Sequence, residues 1–502
     1  MAKRVLSTVY LAVLLAAVSV SSANAQLTQV AYGTAEVALT SASSYNANTG
    51  TPNPFDLDVT AQVTSPSGRR FNVPGFFDGN GAGGSIGNVF KVRIYTDEIG
   101  TWRWTTTSSV PGLGGRSGTI NVSGKLAGVF GQGPIVENPS RPRTFMYQSG
   151  RPVFLTGKFL DVAAPNPIKY THTMFSEKLT DANRQAMLSR HVGMGLNKIN
   201  VYVANKGDYA SVSTTPWVGT AASNNKTRFD LARWRMYDQW IVKMRDAGLL
   251  AHVWFFADDS NFGNLPDADR QRLIKYGMAR MSGYVNTAFI LALEWQEGWT
   301  TTEVSSHVNY KHSNNPWARL VSVHGTPGNF SFATAPWADY MDIQAGNSAG
   351  HAAVHKSTLT NRGMADKPLI QEEHGLGQED TIHRQRAWAA FMGGAAGVGT
   401  GSFLKHLVGF TKTTPFEWMD PDQTLVLSGG AYALAAKGSQ YVFYLYNGGS
   451  VKVDLRSVTG TLTAHWYDPR TGVYQGAPAA AGGTTPTYQA PASGDWVLYI
   501  RK

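Results

Sequence analysis

Two glutamates stand near the ends of apolar runs: Glu297 follows Leu291-Ala292-Leu293-Glu294-Trp295-Gln296, and Glu373 follows Leu369-Ile370-Gln371-Glu372. A carboxyl pair of this kind suits cleavage of a glycosidic bond. One group protonates the leaving oxygen while the other attacks the anomeric carbon, at about 5–5.5 Å separation, or activates water, at about 6.5–9.5 Å. Trp295 and Trp299 flank Glu297 and can exclude water and raise a carboxyl pKa. Glu294 is the competing acid, and strict strand alternation predicts that it faces the other way, towards the helices. Alternation likewise sends only one of the adjacent Glu372 and Glu373 into a shared mouth. Glu373, directly before His374-Gly375, is assigned there, with Glu372 pairing outward to a basic group.

The elements that must position these acids follow from their separation of 76 residues. A βα unit of a (β/α)8 barrel takes about 30 residues, and its chemistry sits where the strands end. The gap therefore spans about three short units, placing the acids on the fourth and seventh strands. Residues 125–418 carry the required alternation. Thr180 caps a helix over 181–192, and a strand follows at 196–203. Asp230 caps a helix in which Trp234, Tyr237, Ile241 and Met244 recur at helical spacing, followed by a strand at 249–256. A helix from Asp267 to Met281 and a strand at 288–294 continue the series. With candidates at 153–156, 320–323, 340–344, 369–372 and 397–404, the parallel strands number eight. Their ends offer further substrate-binding candidates: Lys158, Asn200, Tyr202, Trp254, Asp258, Gln296, Trp299, His324 and Gln344.

The flanks read differently. Residues 26–124 hold short strands with period-two alternation between turn signals, which predicts an Ig-like β-sandwich. Residues 419–502 predict a second, small β-sandwich. The expected fold is thus α/β, a central (β/α)8 barrel flanked by two β-domains. Residues 1–25 have the layout of a secretory signal: Lys3 and Arg4, an apolar run from Val5 to Val20, then small residues to Ala25. The run is shorter than the roughly 20 residues that span a bilayer. The expected location is secreted or periplasmic, after cleavage near Ala25.

Composition narrows the chemistry. With no cysteine, disulfides, thiolate metal sites and a cysteine nucleophile are excluded. The formal charge of +10 falls to +8 without Lys3 and Arg4, which could concentrate an acidic glycan. No Lys/Arg block resembles a nucleic-acid patch. Aromatic residues make up 11% of the chain, including 14 tryptophans, whose faces suit sugar rings. No metal is expected: His324 and His374 lie in no H-x-x-x-H or H-E-x-x-H pattern, and His351 and His355, four apart, lack a companion acid motif. No cofactor is expected, since the glycine runs lack the Lys-Ser/Thr ending of a nucleotide loop. The sequence leaves the oligomeric state open.

Two resemblances rest on particular residues. Ile290-Leu291-Ala292-Leu293 followed by Gln296-Glu297 resembles the Asn-Glu strand-four ending of the large clan of retaining (β/α)8 glycoside hydrolases. Pro368-Leu369-Ile370-Gln371-Glu372-Glu373-His374-Gly375 resembles that clan's strand-seven nucleophile segment. The resemblance implies Glu297 as acid/base and Glu373 as nucleophile, with Gln296 departing from the clan's Asn. The whole layout is similar to exported bacterial proteins with apiosidase-like glycoside hydrolase barrels, an N-terminal β-sandwich of unknown function and a C-terminal β-domain labelled collagen-binding. The matching motifs are Gly150-Arg151-Pro152-Val153-Phe154, Met341-Asp342-Ile343-Gln344, Gly393-Gly394-Ala395-Ala396-Gly397 and Trp466-Tyr467-Asp468-Pro469-Arg470-Thr471-Gly472. Thr156-Gly157-Lys158-Phe159 departs from that group's Asp-Thr-x-Trp-like ending. The leading expectation is a retaining glycoside hydrolase acting on a polysaccharide or oligosaccharide. A non-catalytic glycan-binding protein and a polysaccharide lyase on an acidic glycan are the alternatives.

Overall fold

The computed structural model describes residues 25–205, 213–257, 262–375 and 378–502. The expected leader, apart from Ala25, and the candidate Asp258 lie outside them.

Strands β1 (Ala25–Ala31), β2 (Gly33–Asn46), β3 (Thr60–Thr64), β4 (Arg70–Phe77), β5 (Ile86–Thr96), β6 (Gly100–Thr107) and β7 (Ser117–Lys125) form one folded sheet in the order β1-β7-β6-β3-β4-β5-β2. Strand β4 makes the fold possible. It pairs with β3 through Arg70–Pro74 and with β5 from Gly75 onward, so it passes from one layer to the other. A Cβ at Gly75 would stand 2.6 Å from Val59 Cγ1 and 2.9 Å from the Lys91 carbonyl, so the crossing needs glycine. On β6, Trp102 and Trp104 are buried while Thr101, Arg103 and Thr105 are exposed, as alternation predicts. Strands β1 and β4 escaped the sequence reading: the Pro-Gly in β4 and the position of β1 at the leader's end hid their pattern.

Eight parallel strands occur among the described residues: Leu155–Thr156, Lys198–Ala204, Leu250–Phe256, Thr287–Ala292, Val321–Ser322, Met341–Gln344, Leu369–Glu373 and Gly397–Val398. They form two four-stranded sheets, one in the order first-eighth-seventh-sixth and the other second-third-fourth-fifth. The sheets approach each other at both margins. A bridge joins His324 to Asp342, and the Asn197 N–H donates to the Thr156 carbonyl at 3.1 Å. The result is a barrel-like arrangement of strands buried on both faces, ringed by α1 (Asp181–Gly193), α2 (Leu231–Asp246), α3 (Asp267–Met281), α4 (Thr301–Ser313), α5 (His351–Arg362), α6 (Thr381–Met392) and α7 (Leu404–Thr413). Thr180 and Asp230 cap α1 and α2 as their positions predict, each accepting backbone N–H groups of the first turn. At the ends of the series the expected strands shrink. Pro152–Val153 joins an antiparallel hairpin, leaving only Leu155–Thr156 in the parallel sheet, and the strand expected to run to 404 stops at Val398.

Downstream, six strands between Asp420 and Arg501 form one sheet and three short ones another. Ring contacts dock them on the helices: His355 stacks on Tyr432 at 3.9 Å and Trp388 on Tyr444 at 5.6 Å. A buried Arg384–Asp495 pair of 2.5 Å adds a fixed point. His351 and His355 are therefore packing residues, with His351 Nδ1 2.8 Å from the Tyr432 hydroxyl. At the other flank Arg93 and Arg280 share Asp238, and Arg280 also meets Asp78 at 2.7 Å, locking the folded sheet to α2 and α3.

Candidate functional site

Period-two alternation on the parallel strands aims a column of polar side chains inward, among apolar neighbours. The second strand contributes Lys198, Asn200 and Tyr202, the third His252 and Trp254, the sixth Asp342 and Gln344, with Tyr340 just ahead of it, and the seventh Glu372. Glu372 is the hub. Lys198 Nζ lies 2.7 and 2.6 Å from its two oxygens, and Asn200 Nδ2 donates to it at 2.6 Å. Lys198 also donates to Asn200 Oδ1 at 2.9 Å. His252 sits beside this group, Nδ1 3.1 Å from Asn200 Oδ1 and Nε2 2.6 Å from the Tyr340 hydroxyl. Gly399 on the neighbouring segment has no side chain to spare: a Cβ there would fall 2.0 Å from Glu372 Oε1.

The expectation that Glu372 pairs outward is corrected. It does pair with a base, but inside the ring of strands. Alternation itself puts it there: Ile370 stands in register with the inward Asp342, so Glu372, two residues on, faces inward, and the register shift that follows, with Ile343 facing Gln371 and Gln344 facing Glu373, brings Glu373 to the rim. Such a bulge breaks strict alternation and re-aims side chains.

Burial sets the protonation of the other core groups. It raises the Asp342 carboxyl well above its ordinary value, and the nearby Glu372 charge adds to the rise. Burial drives His324 down to about 3 and His252 well below its ordinary value, with the Lys198 charge acting in the same direction. His252, Asp342 and Glu372 offer donor atoms within 4.8 Å of one another, a set able to meet a metal ion. Lys198, however, already holds both oxygens of Glu372, and both nitrogens of His252 have partners. These contacts favour an ion-paired polar core over a metal centre.

Above this core lies the rim. The fourth strand ends at Ala292, and Glu294 follows with φ 41° and ψ 52°, a left-handed conformation that costs a non-glycine residue of order 1 kcal/mol or more. Its carboxylate accepts a hydrogen bond from Gln344 Nε2 on the sixth strand. The expectation that Glu294 faces the helices is therefore also corrected, because the left-handed turn redirects it. Glu297, expected at the strand end, stands beyond it in the 3-10 turn Trp295–Glu297 and is exposed, while Glu294 is half-buried. Glu373 is half-buried and pairs in register with Gln344. Gln344 thus touches Glu294 and neighbours Glu373, bringing the ends of the fourth, sixth and seventh strands together.

The remaining candidates separate into groups. Asn200, Trp254, His324 and Gln344 belong to the core and rim, with Trp254 Nε1 3.2 Å from His252 Nδ1 and its ring 5.3 Å from that of His324. Tyr202 lies between His172 and Trp254, at 4.7 and 5.7 Å. Lys158 is buried and ion-paired with Glu379. Gln296 is exposed and accepts the Thr326 N–H at 3.0 Å. Trp299 packs behind the strands, under the Arg270 guanidinium at 4.2 Å and against His307 of α4. Lys198, His252, Tyr340 and Asp342 were missed as site residues. The signal that finds them is a polar residue at every second position of an otherwise apolar strand.

Two sequence families match the flanks: a "Domain of unknown function (DUF5060)" over residues 28–109 and a "Putative collagen-binding domain of a collagenase" over residues 421–501. No curated protein matches the chain. Among solved structures, a "putative glycoside hydrolase" from Bacteroides vulgatus superposes with TM-score 0.75 at 18% identity, covering 95% of this chain and 100% of that one. A glycoside hydrolase family 5 protein from the same organism gives 0.62 at 17% identity over 75% and 95% of the two chains. A third, titled "Glycoside hydrolase", gives 0.61 at 18% over 75% and 99%. At these identities the likeness is one of fold, and the chain shares that fold across almost its entire described length.

Proposed function

We propose that the protein is an exported glycoside hydrolase whose eight parallel strands close a (β/α)8 barrel and whose chemistry is divided between Glu294 and Glu373. The observation that carries this reading is the meeting at Gln344 of two half-buried glutamates from the ends of the fourth and seventh strands, one in a left-handed conformation. Strained, non-glycine backbone is retained where surrounding structure holds it for a purpose. The retaining route assigns Glu294 to protonate the leaving oxygen and then activate water. Glu373 attacks the anomeric carbon and leaves as the glycosyl ester is hydrolysed. Gln344 orients Glu294 through its hydrogen bond and stands in register with Glu373. The fold of the solved glycoside hydrolases above supports the class of reaction, and a glycan is the substrate class.

Alanine variants assayed on a panel of aryl glycosides and polysaccharides test the division of roles. Glu373→Ala is expected to lose at least 10³-fold in turnover and to recover part of it with azide. Glu294→Ala is expected to retain turnover mainly on aryl glycosides with good leaving groups, and Glu297→Ala to stay within a few-fold of the parent. Loss of activity in Glu297→Ala with retention in Glu294→Ala would transfer the acid role to Glu297.

A further inference from the structure

The outer face of the amino-terminal sheet carries an unusual charge pattern. Strands β1, β7, β6, β3 and β4 contain no Asp or Glu at any position. Thr64 pairs with Arg70 of β4 on one side and with Arg103 of β6 on the other, so the two arginines lie in one row across the sheet, two strand spacings or about 9–10 Å apart. The next row runs Asn72, Gln62, Thr105. These residues line a groove of about 450 Å³. Arg70 and Arg103 are exposed, and neither forms an ion pair among the described residues. The contrast with Arg69 is direct: it turns to the end of the sheet, where Asp97 at 2.5 Å and Glu98 hold it. The inner face of the same sheet is occupied, with Phe71 packed against Trp317 at 4.9 Å.

We propose that this groove is a second glycan-binding site, separate from the strand-end carboxylates, and that it takes a polyuronate. Two guanidinium groups without acidic partners complement anionic groups, and the planar Arg fork meets a carboxylate with two parallel hydrogen bonds. Between and beside them stand amides and hydroxyls, which exchange hydrogen bonds with sugar hydroxyls. The groove lining carries no exposed aromatic ring on which bases could stack and only two cations, which argues against a nucleic acid. A polymer held here stays tethered to the chain that bears the hydrolytic site, which raises its effective concentration.

The test uses the full chain and measures binding by calorimetry and affinity electrophoresis at low salt. The probes are polygalacturonate, a sulfated galactan, neutral mannan and single-stranded DNA. Polygalacturonate is expected to bind, mannan not to bind, and the double variant R70Q/R103Q to lose at least 10-fold in affinity with an unchanged melting temperature. Binding should weaken steeply with salt. Equal binding by the double variant overturns the site, as does the absence of polygalacturonate binding in the parent. Preference for the sulfated galactan or for DNA, abolished by the same substitutions, overturns the choice of polyuronate.

Discussion

At the residue scale, the barrel core is built from groups that burial keeps neutral around one buried ion pair. Lys198 and Glu372 satisfy each other with help from Asn200, so removing either leaves the other's charge buried and alone. Burial is also the first cause of the low pKa values of His172, at about 4, and of His191, His324 and His374, each at about 3. The unfolded chain takes up protons at these histidines near pH 6.5, whereas the folded chain does so only near 3–4. Their contribution to stability is therefore complete above about 6.5 and is lost as pH falls towards 3. Asp342, raised by burial and by Glu372, works in the opposite sense, since its protonated form is favoured in the fold. Burial also lowers His252, His351, His355 and His406 and raises Glu137, Asp339 and Glu417, so the lowered histidines outnumber the raised carboxyls, and calorimetry at constant ionic strength should show the melting temperature falling steadily from pH 6.5 to 4. A rise over that interval would show that these histidines are charged in the folded protein.

At the element scale, strand period and helix periodicity were legible, and their interruptions were not. Helices α1 and α2 start behind the caps Thr180 and Asp230, where capping residue and apolar spacing agree, and α3 starts at Asp267, behind Pro266, without a side-chain cap. The two features that decide the rim break a local rule. A left-handed Glu294 re-aims the end of the fourth strand, and a bulge at Glu372–Glu373 re-aims the seventh. Neither conformation has a residue signature such as glycine, so alternation favoured Glu297 over Glu294, and the choice of Glu373 over Glu372 for the mouth rested on its place before His374-Gly375. Gly399 records the inward Glu372, since its missing Cβ makes room for that carboxylate. Gly399→Ala should cost about 1–3 kcal/mol by overpacking, read from chemical denaturation, with loss of turnover as Glu372 is pushed against Lys198. Wild-type stability in that variant would mean that the seventh strand is free to shift.

At the scale of the whole molecule, the order of parts could be read from the change of period along the chain, from alternating strands to strand-helix units and back. The docking of the parts could not, because it depends on residues such as Arg93, Asp238 and Arg280, whose partners are far away in sequence. The folded sheet and the carboxy-terminal sheets brace the helices from two sides. The central claim is that Glu373 forms a covalent glycosyl ester while Glu294 handles the proton. Incubation of the intact protein with a panel of 2-deoxy-2-fluoroglycosides, followed by mass spectrometry of the digested protein, tests it most directly. The predicted result is a single glycosyl adduct on Glu373 that accumulates in the parent and is absent from Glu373→Ala. An adduct on Glu297 or Glu372, or active hydrolysis that inverts the anomeric carbon without any adduct, would contradict it.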